Sequence, residues 1–289
     1  MKLEGCYTAL VTPFENGKLC TSALHDLVEA QIAGGVAGIV PVGTTGESPT
    51  LSMAEHNKVV AQVIDSADGR CKVIAGTGAN STAEAVELTE HARGDGADAT
   101  LQVSPYYNKP TQEGLYRHFS TVADIGLPVV LYNIPGRCNI EISIETVKRL
   151  AAHPNIVAVK EAGGDADRVS KTLRACDITV VSGDDALTLP MMVLGATGVI
   201  SVASNVVPAE VTELTTRALA GDFVGALEVH CRLYELFEAL FIETNPIPVK
   251  AAMAALGLIC EEYRLPMCEL ATANREILLQ AMRNTGLAV

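Results

Sequence analysis

The chain has 289 residues, 48% of them hydrophobic and 19% charged, and a formal net charge of -13. This is enough apolar material for one large core and excludes a disordered chain. The acidic balance repels nucleic acid and anionic lipid over long range, so no nucleic acid and no membrane is expected as a partner; a local arginine can still govern a cleft for a small anion.

The opening MKLEGCYTALVTPF lacks the long apolar core of a secretory signal. No apolar run reaches the roughly 18 residues of a membrane span, so a cytoplasmic protein is expected. Cysteines fall at 6, 20, 71, 138, 176, 231, 260 and 268 without a CxxC pair. They read as reduced, mostly buried thiols rather than a disulfide scaffold.

Strand-length apolar segments then alternate with helical patterns. YTALV (7–11) precedes a helix over 21–33, and AGIVPV (37–42) precedes one opened by the capping box Ser52-x-x-Glu55. KVIAG (72–76) leads to a second such box, Ser81-x-x-Glu84. ATLQV (99–103), PVVLY (128–132) and IVAVK (156–160) precede helices over 111–124, 143–152 and 165–174. ITVVS (178–182) and GVISV (198–202) precede 185–194 and 208–220. Their near-continuous Val, Ile and Ala suit parallel strands covered on both faces. Eight alternations predict an α/β fold of the (β/α)8 TIM barrel type, where a doubly wound sheet would stop at about five or six strands.

Past residue 220, helices over 222–242, 246–257 and 269–282 follow without a strand between them, broken at Pro246, Pro248 and Leu265-Pro266. The expected organisation is a catalytic barrel over 1–221 and a C-terminal helical region over 222–289, packed on the barrel or on another subunit.

Barrel chemistry gathers at the C-terminal ends of strands. The second strand ends in Gly43-Thr44-Thr45-Gly46-Glu47, the fourth in Ser104-Pro105-Tyr106-Tyr107-Asn108, the fifth in Tyr132-Asn133, the sixth in Lys160-Glu161 and the seventh in Gly183-Asp184-Asp185. Among the lysines, Lys160 alone completes an apolar strand at that end. Turned inward it would lose solvent, and a neutral amine can attack a carbonyl. The competing reading is an ion pair with Glu161, although adjacent strand residues face opposite ways.

Tyr132 is either a proton shuttle beside that amine or an aromatic packed beneath the loops. Thr44 and Thr45 offer hydroxyls and N–H groups to a small carboxylate, in a type of turn that is common. Arg137 is either a bidentate carboxylate clamp or a surface residue. Gly76-Thr77-Gly78 lacks the third glycine of a dinucleotide fingerprint, and no Walker lysine follows Gly46. The histidines have no ligand spacing, so no metal is expected, and His56 and the others read as surface or interface residues.

Together, ALVTPF (9–14), GTTGES (43–48), AGTGAN (75–80), SPYYNKP (104–110), YNIPGR (132–137), VKEAGGD (159–165), SGDD (182–185) and GVISVASN (198–205) closely resemble the dihydrodipicolinate synthase family, also called 4-hydroxy-tetrahydrodipicolinate synthase, across residues 1–289. The resemblance implies a class I lyase of diaminopimelate and lysine biosynthesis with no organic or metal cofactor. Lys160 would form an imine with pyruvate, and the derived enamine would attack L-aspartate 4-semialdehyde.

Carried over by motif, Thr44, Tyr107 and Tyr132 resemble a proton relay, and Thr45 resembles the pyruvate-carboxylate binder. Arg137 matches the residue for the semialdehyde carboxylate, while Gly183 and Ile200 would lend main-chain atoms around Lys160. The resemblance also implies a homotetramer, a dimer of dimers in which Tyr107 crosses the tight interface. Ser48, His56, Asn80, Glu84 and Tyr106 resemble an allosteric pocket for L-lysine, where Pro49 stands in place of a frequent alanine and Met53 in place of a histidine.

Related pyruvate lyases, such as N-acetylneuraminate lyase and the 2-keto-3-deoxy sugar-acid aldolases, share the barrel, the lysine and YNIP. Arg137 with SPYYNKP favours the synthase. A phosphate-binding barrel isomerase would need an anion site after strand seven or eight, where Asp184 and Asp185 are unfavourable.

Overall fold

The apolar segments form a closed ring of parallel strands because each is covered twice, by side chains inside the barrel and by helices outside it. In the computed structural model, which describes residues 1–289, the strands are β1 Gly5–Ala9, β2 Gly38–Val40, β3 Lys72–Gly76 and β4 Ala99–Val103. They continue as β5 Val129–Asn133, β6 Ile156–Glu161, β7 Thr179–Ser182 and β8 Gly198–Ser201. Neighbours in sequence pair in parallel, and β1 pairs with β8 to close the barrel. Closure brings two backbones together at a point that admits no side chain: a Cβ on Gly198 would lie 2.1 Å from the Gly5 carbonyl oxygen. The architecture is the (β/α)8 TIM barrel that the alternation predicts.

Helices α1 Thr21–Ala33, α2 Met53–Ala67, α3 Thr82–Asp95 and α4 Gln112–Ala123 alternate with the first strands. They are followed by α5 Ile144–Leu150, α6 Asp167–Ala175, α7 Thr188–Val193 and α8 Pro208–Leu219. The Ser52–Glu55 capping box forms with both of its bonds. The one expected at Ser81–Glu84 does not: Ser81 makes no capping bond, and both residues are exposed, where water can satisfy the free N–H groups. Strand β2 stops at Val40, short of its expected end, because Val42 adopts a φ of 50° and turns the chain into the Gly43–Ser48 loop. A hairpin of Phe14–Glu15 with Lys18–Leu19 and a single helical turn at Pro135–Cys138 are too short to show periodicity in the sequence.

Helices α9 Phe223–Ala239, α10 Ile247–Ala255 and α11 Thr272–Asn284 follow the barrel. Val229, Leu233, Met253 and Leu278 belong to the same apolar cluster as Val28, Val59 and Val199, so this region and the β/α layer share one core. Only Cys6 and Cys138 among the eight cysteines are buried, which corrects the expectation of mostly buried thiols. Cys231 lies on the exposed face of α9, and Cys260 and Cys268 lie in the exposed connection between α10 and α11. All eight are free. His56 and His118 are likewise buried, not on the surface. His56 sits on the inner face of α2 with Nε2 2.9 Å from the Gly76 carbonyl, and His118 bonds Thr82 at 2.9 Å. No helix is long and apolar enough to cross a membrane.

One polar contact ties α10 to the mouth of the barrel. Lys250 is fully buried, and its Nζ donates to Glu47 Oε1 at 2.5 Å and to the Thr12 carbonyl at 3.2 Å. The Phe14 ring lies 4.4 Å from that ammonium, and Glu47 Oε2 accepts the Arg264 N–H at 3.1 Å. Glu47 itself holds a φ of 54°, a left-handed conformation for a residue with a side chain. Lys250→Met alone would strand a buried carboxylate and is expected to cost about 3–5 kcal/mol, whereas pairing it with Glu47→Gln should recover much of that loss. Denaturant unfolding of the single and double variants measures the difference; equal destabilisation would show that the charge pairing is unimportant.

Candidate active site

Register and alternation decide what faces the barrel interior. On β5 and β6, Tyr132 pairs with Lys160 and Asn133 with Glu161. Successive side chains point to opposite faces, so the first pair turns inward and the second turns toward the helices. Glu161 accepts from Arg168 Nε at 2.9 Å, from Asn133 Nδ2 at 2.9 and 3.1 Å and from the Gly163 N–H at 2.8 Å. Arg168 also donates to the Ile142 carbonyl at 2.9 Å, which binds α6 to the loop after β5. The Lys160–Glu161 ion pair is therefore excluded. Glu161 has its own arginine.

Lys160 is only 4% exposed, and its ammonium faces the Tyr132 ring, 4.2 Å from the centroid, rather than a carboxylate. Loss of solvent pulls its pKa down to about 7; the Asp185 charge opposes the shift and the Arg137 charge adds to it. Burial raises the Tyr132 phenol, with Arg137 and the Thr44 hydroxyl acting the other way. Asp185 is buried and accepts from Ser201 Oγ at 2.5 Å and from the N–H groups of Val202 and Ala203, both at 3.0 Å. Burial raises its carboxyl while those three donors pull it back. A carboxylate is acceptor-only and would repel a phosphate, and the end of β8 and the residues after it already direct three donors at this one.

Two adjoining cavities open here. One of about 50 Å³ is lined by Lys160, Thr45, Gly183, Phe241 and Asn245. The other, of about 200 Å³, reaches Ser48, Pro49, Tyr106 and Cys138. Thr44, Tyr132 and Arg137 line both. An amine with a substantial neutral fraction at neutral pH, a buried phenol and a guanidinium thus converge on one small space, an arrangement suited to attack on the carbonyl of a small anion.

The dihydrodipicolinate synthetase family profile matches residues 2–285. The chain belongs to that family. It is 51% identical over 288 residues to the 4-hydroxy-tetrahydrodipicolinate synthase of Hydrogenobaculum sp., covering 99% of each chain. The dihydrodipicolinate synthase of Acinetobacter baumannii, whose crystal structure is complexed with pyruvate, superposes with a TM-score of 0.97 at 46% identity and 99% coverage of both chains. The Cyanidioschyzon merolae enzyme, solved with lysine bound, gives a TM-score of 0.96 at 42% identity and 99% coverage of both.

Not every residue suggested by resemblance to dihydrodipicolinate synthases meets in this one chain. Lys160, Tyr132, Thr44, Thr45, Arg137 and Gly183 do. Glycine at 183 makes room for the lysine stem, since a Cβ there would lie 2.8 Å from Lys160 Cε. Ile200 is fully buried on β8 and lines neither cavity. Tyr107 is 92% exposed, with a φ of 73°, and stands outside both cavities of its own barrel. Of the residues that resemble an inhibitor pocket, Ser48 and Tyr106 line the larger cavity. Asn80 donates to the Tyr106 carbonyl at 3.3 Å, Glu84 is exposed beside them, and His56 is committed to Gly76.

Sequence reasoning missed Asn245, Asp185 and Arg168 as parts of this site. Asp185 carried a local signal in the Gly183-Asp184-Asp185 strand end, but the other two act through contacts that sequence spacing does not show.

The pH dependence of stability follows from the buried amine. Below its folded pKa of about 7 Lys160 is charged and carries the full cost of burial. Between there and the unfolded value near 10.4 the unfolded chain binds the extra proton, so stability rises with pH. Lys160→Met should stabilise the fold by on the order of 4 kcal/mol at pH 7, with the gain fading toward pH 10. Unfolding curves across that range check it, and a pH-independent gain would contradict the assigned burial cost.

Proposed function

We propose that the protein is a 4-hydroxy-tetrahydrodipicolinate synthase acting through an imine between Lys160 and pyruvate. The observation that carries the reading is a desolvated lysine without a carboxylate partner, beside Tyr132 at the strand ends of a chain of this family. The neutral amine attacks the keto carbon, and two proton transfers expel water to leave the imine. Loss of a methyl proton gives the enamine, with the protonated imine nitrogen as electron sink. The enamine carbon then attacks the aldehyde of L-aspartate 4-semialdehyde, and its amine displaces Lys160 by transimination as the ring closes.

In this reading Thr45 holds the pyruvate carboxylate, Arg137 the semialdehyde carboxylate, and Gly183 and Ile200 contribute main-chain atoms. Thr44, Tyr132 and Tyr107 pass protons. The exposure of Tyr107 supports its donation to a second copy of the chain, in a homotetramer built as a dimer of dimers. We read the chain as a barrel over 1–221 with a helical region over 222–289, working in the cytoplasm without a cofactor.

Borohydride reduction in the presence of pyruvate should place a stable adduct on Lys160, located by peptide mass. Turnover with an unmodified Lys160 would sink the mechanism. Product from aspartate semialdehyde, without cleavage of N-acetylneuraminate, separates the synthase from the related lyases. The same assay on size-separated species tests the assembly, because a fully active monomer would remove the crossing role of Tyr107.

L-Lysine is proposed as an inhibitor at Ser48, His56, Asn80, Glu84 and Tyr106. The Glu84 carboxylate would face the ligand ammonium, and the Tyr106–Tyr107 neighbourhood would pass the effect to the relay. Titrating L-lysine at several fixed pyruvate concentrations should lower the rate, and Glu84→Ala should weaken the effect about tenfold, as expected for a charged contact. Neither inhibition nor binding in the native enzyme would end this proposal.

A further inference from the structure

Asn245 stands in the connection between α9 and α10, where the C-terminal region meets the barrel mouth, and it is buried. Its Nδ2 donates to Thr45 Oγ1 at 2.9 Å, between residues 200 positions apart. Its main-chain oxygen accepts from Arg137 Nη2 at 2.9 Å. All three residues line the cavity that holds Lys160.

A hydroxyl that accepts one hydrogen bond still has its proton to give. With the Asn245 amide directed at its oxygen, Thr45 is left to donate, and an anionic oxygen in the cavity gains most from that proton. The other atom of the amide, Oδ1, is buried without a partner. An unpaired buried acceptor costs stability, so packing alone gives no reason for an amide here. The bond to Thr45 gives one.

We propose that Asn245 is a positioning residue of the keto-acid subsite. It fixes the Thr45 hydroxyl as a donor toward the substrate carboxylate, while its main chain holds Arg137 at the same mouth. This rests on the function proposed above. An aspartate of the same shape would do the reverse, accepting the Thr45 proton and setting a negative charge beside the substrate's own.

In borohydride trapping, Asn245→Asp should raise the half-saturating pyruvate concentration about tenfold or more. The KM for aspartate semialdehyde at saturating pyruvate should stay within about twofold, since the main-chain contact to Arg137 survives the substitution. Asn245→Ala should also weaken pyruvate, yet add little on a Thr45→Val background, because the amide acts through that hydroxyl. Thermal unfolding identifies folded variants, and the alanine cycle decides alone if Asn245→Asp does not fold. Unchanged pyruvate saturation, parallel weakening of both substrates, or a full additional loss on Thr45→Val would each overturn the proposal. Native enzyme that pyruvate and borohydride leave unmodified at Lys160 would instead overturn the functional reading beneath it.

Discussion

Two lysines lose their water when this chain folds, and burial lowers the pKa of both, but only one is given a carboxylate in direct contact. Lys250 receives the Glu47 carboxylate, a carbonyl and an aromatic face, so its charge is answered inside the core. Lys160 receives a tyrosine ring at 4.2 Å, and the nearest relief comes from Asp185, whose oxygens are already taken by Ser201, Val202 and Ala203. A buried ammonium left so poorly solvated gives up its proton near neutrality. The strand ends are arranged around that deficit. Glu161, the carboxylate adjacent in sequence, is turned outward and occupied by Arg168, so it cannot cancel the effect. A cost to stability at one position becomes reactivity at the same position.

This division was partly legible in the amino-acid sequence. The eight apolar runs are long enough, and regular enough, to mark a barrel, and an alternation of two settles that Lys160 and Glu161 face apart. Lys160 stood out because a charge at the end of IVAVK breaks an apolar pattern. Lys250 did not. It lies in a helical segment, where its depth depends on what packs over α10. Its partner Glu47 is 203 residues away, and Asn245 finds Thr45 across 200. Such pairings have no local period to read. The failed cap at Ser81 shows the converse, a local motif whose groups remain at the surface where water competes.

The C-terminal helices consequently do more than cover one side of the barrel. The Gly43–Ser48 loop carries Thr44 and Thr45 at the end of a strand of only three residues, and Val42 just before it and Glu47 within it hold left-handed backbone. Such conformations persist when surrounding contacts over-determine them. Those contacts come from the far end of the chain: Lys250 and Arg264 on Glu47, and Asn245 on Thr45. Without the residues beyond 221 that loop would lose every one of these contacts, along with part of the apolar core that it shares with the barrel.

The two cavities differ in what lines them. The smaller, around Lys160, is bounded on one side by the β7 turn, where a glycine lets the lysine stem pass, and on another by Phe241 and Asn245. The larger extends toward Ser48 and Tyr106, and Thr44, Tyr132 and Arg137 stand between them. A molecule at the Ser48–Tyr106 end would therefore meet the groups assigned to proton transfer before it met the amine. Inhibition there would fall on the proposed proton relay and on Arg137, leaving the keto-acid subsite proposed at Thr45 and Asn245 free to fill. If the proposed inhibitor occupies the Ser48–Tyr106 end and pyruvate the Lys160 cavity, the two need not overlap, and non-competitive inhibition toward pyruvate is the expected outcome; competitive kinetics would place both ligands on the shared lining of Thr44, Tyr132 and Arg137.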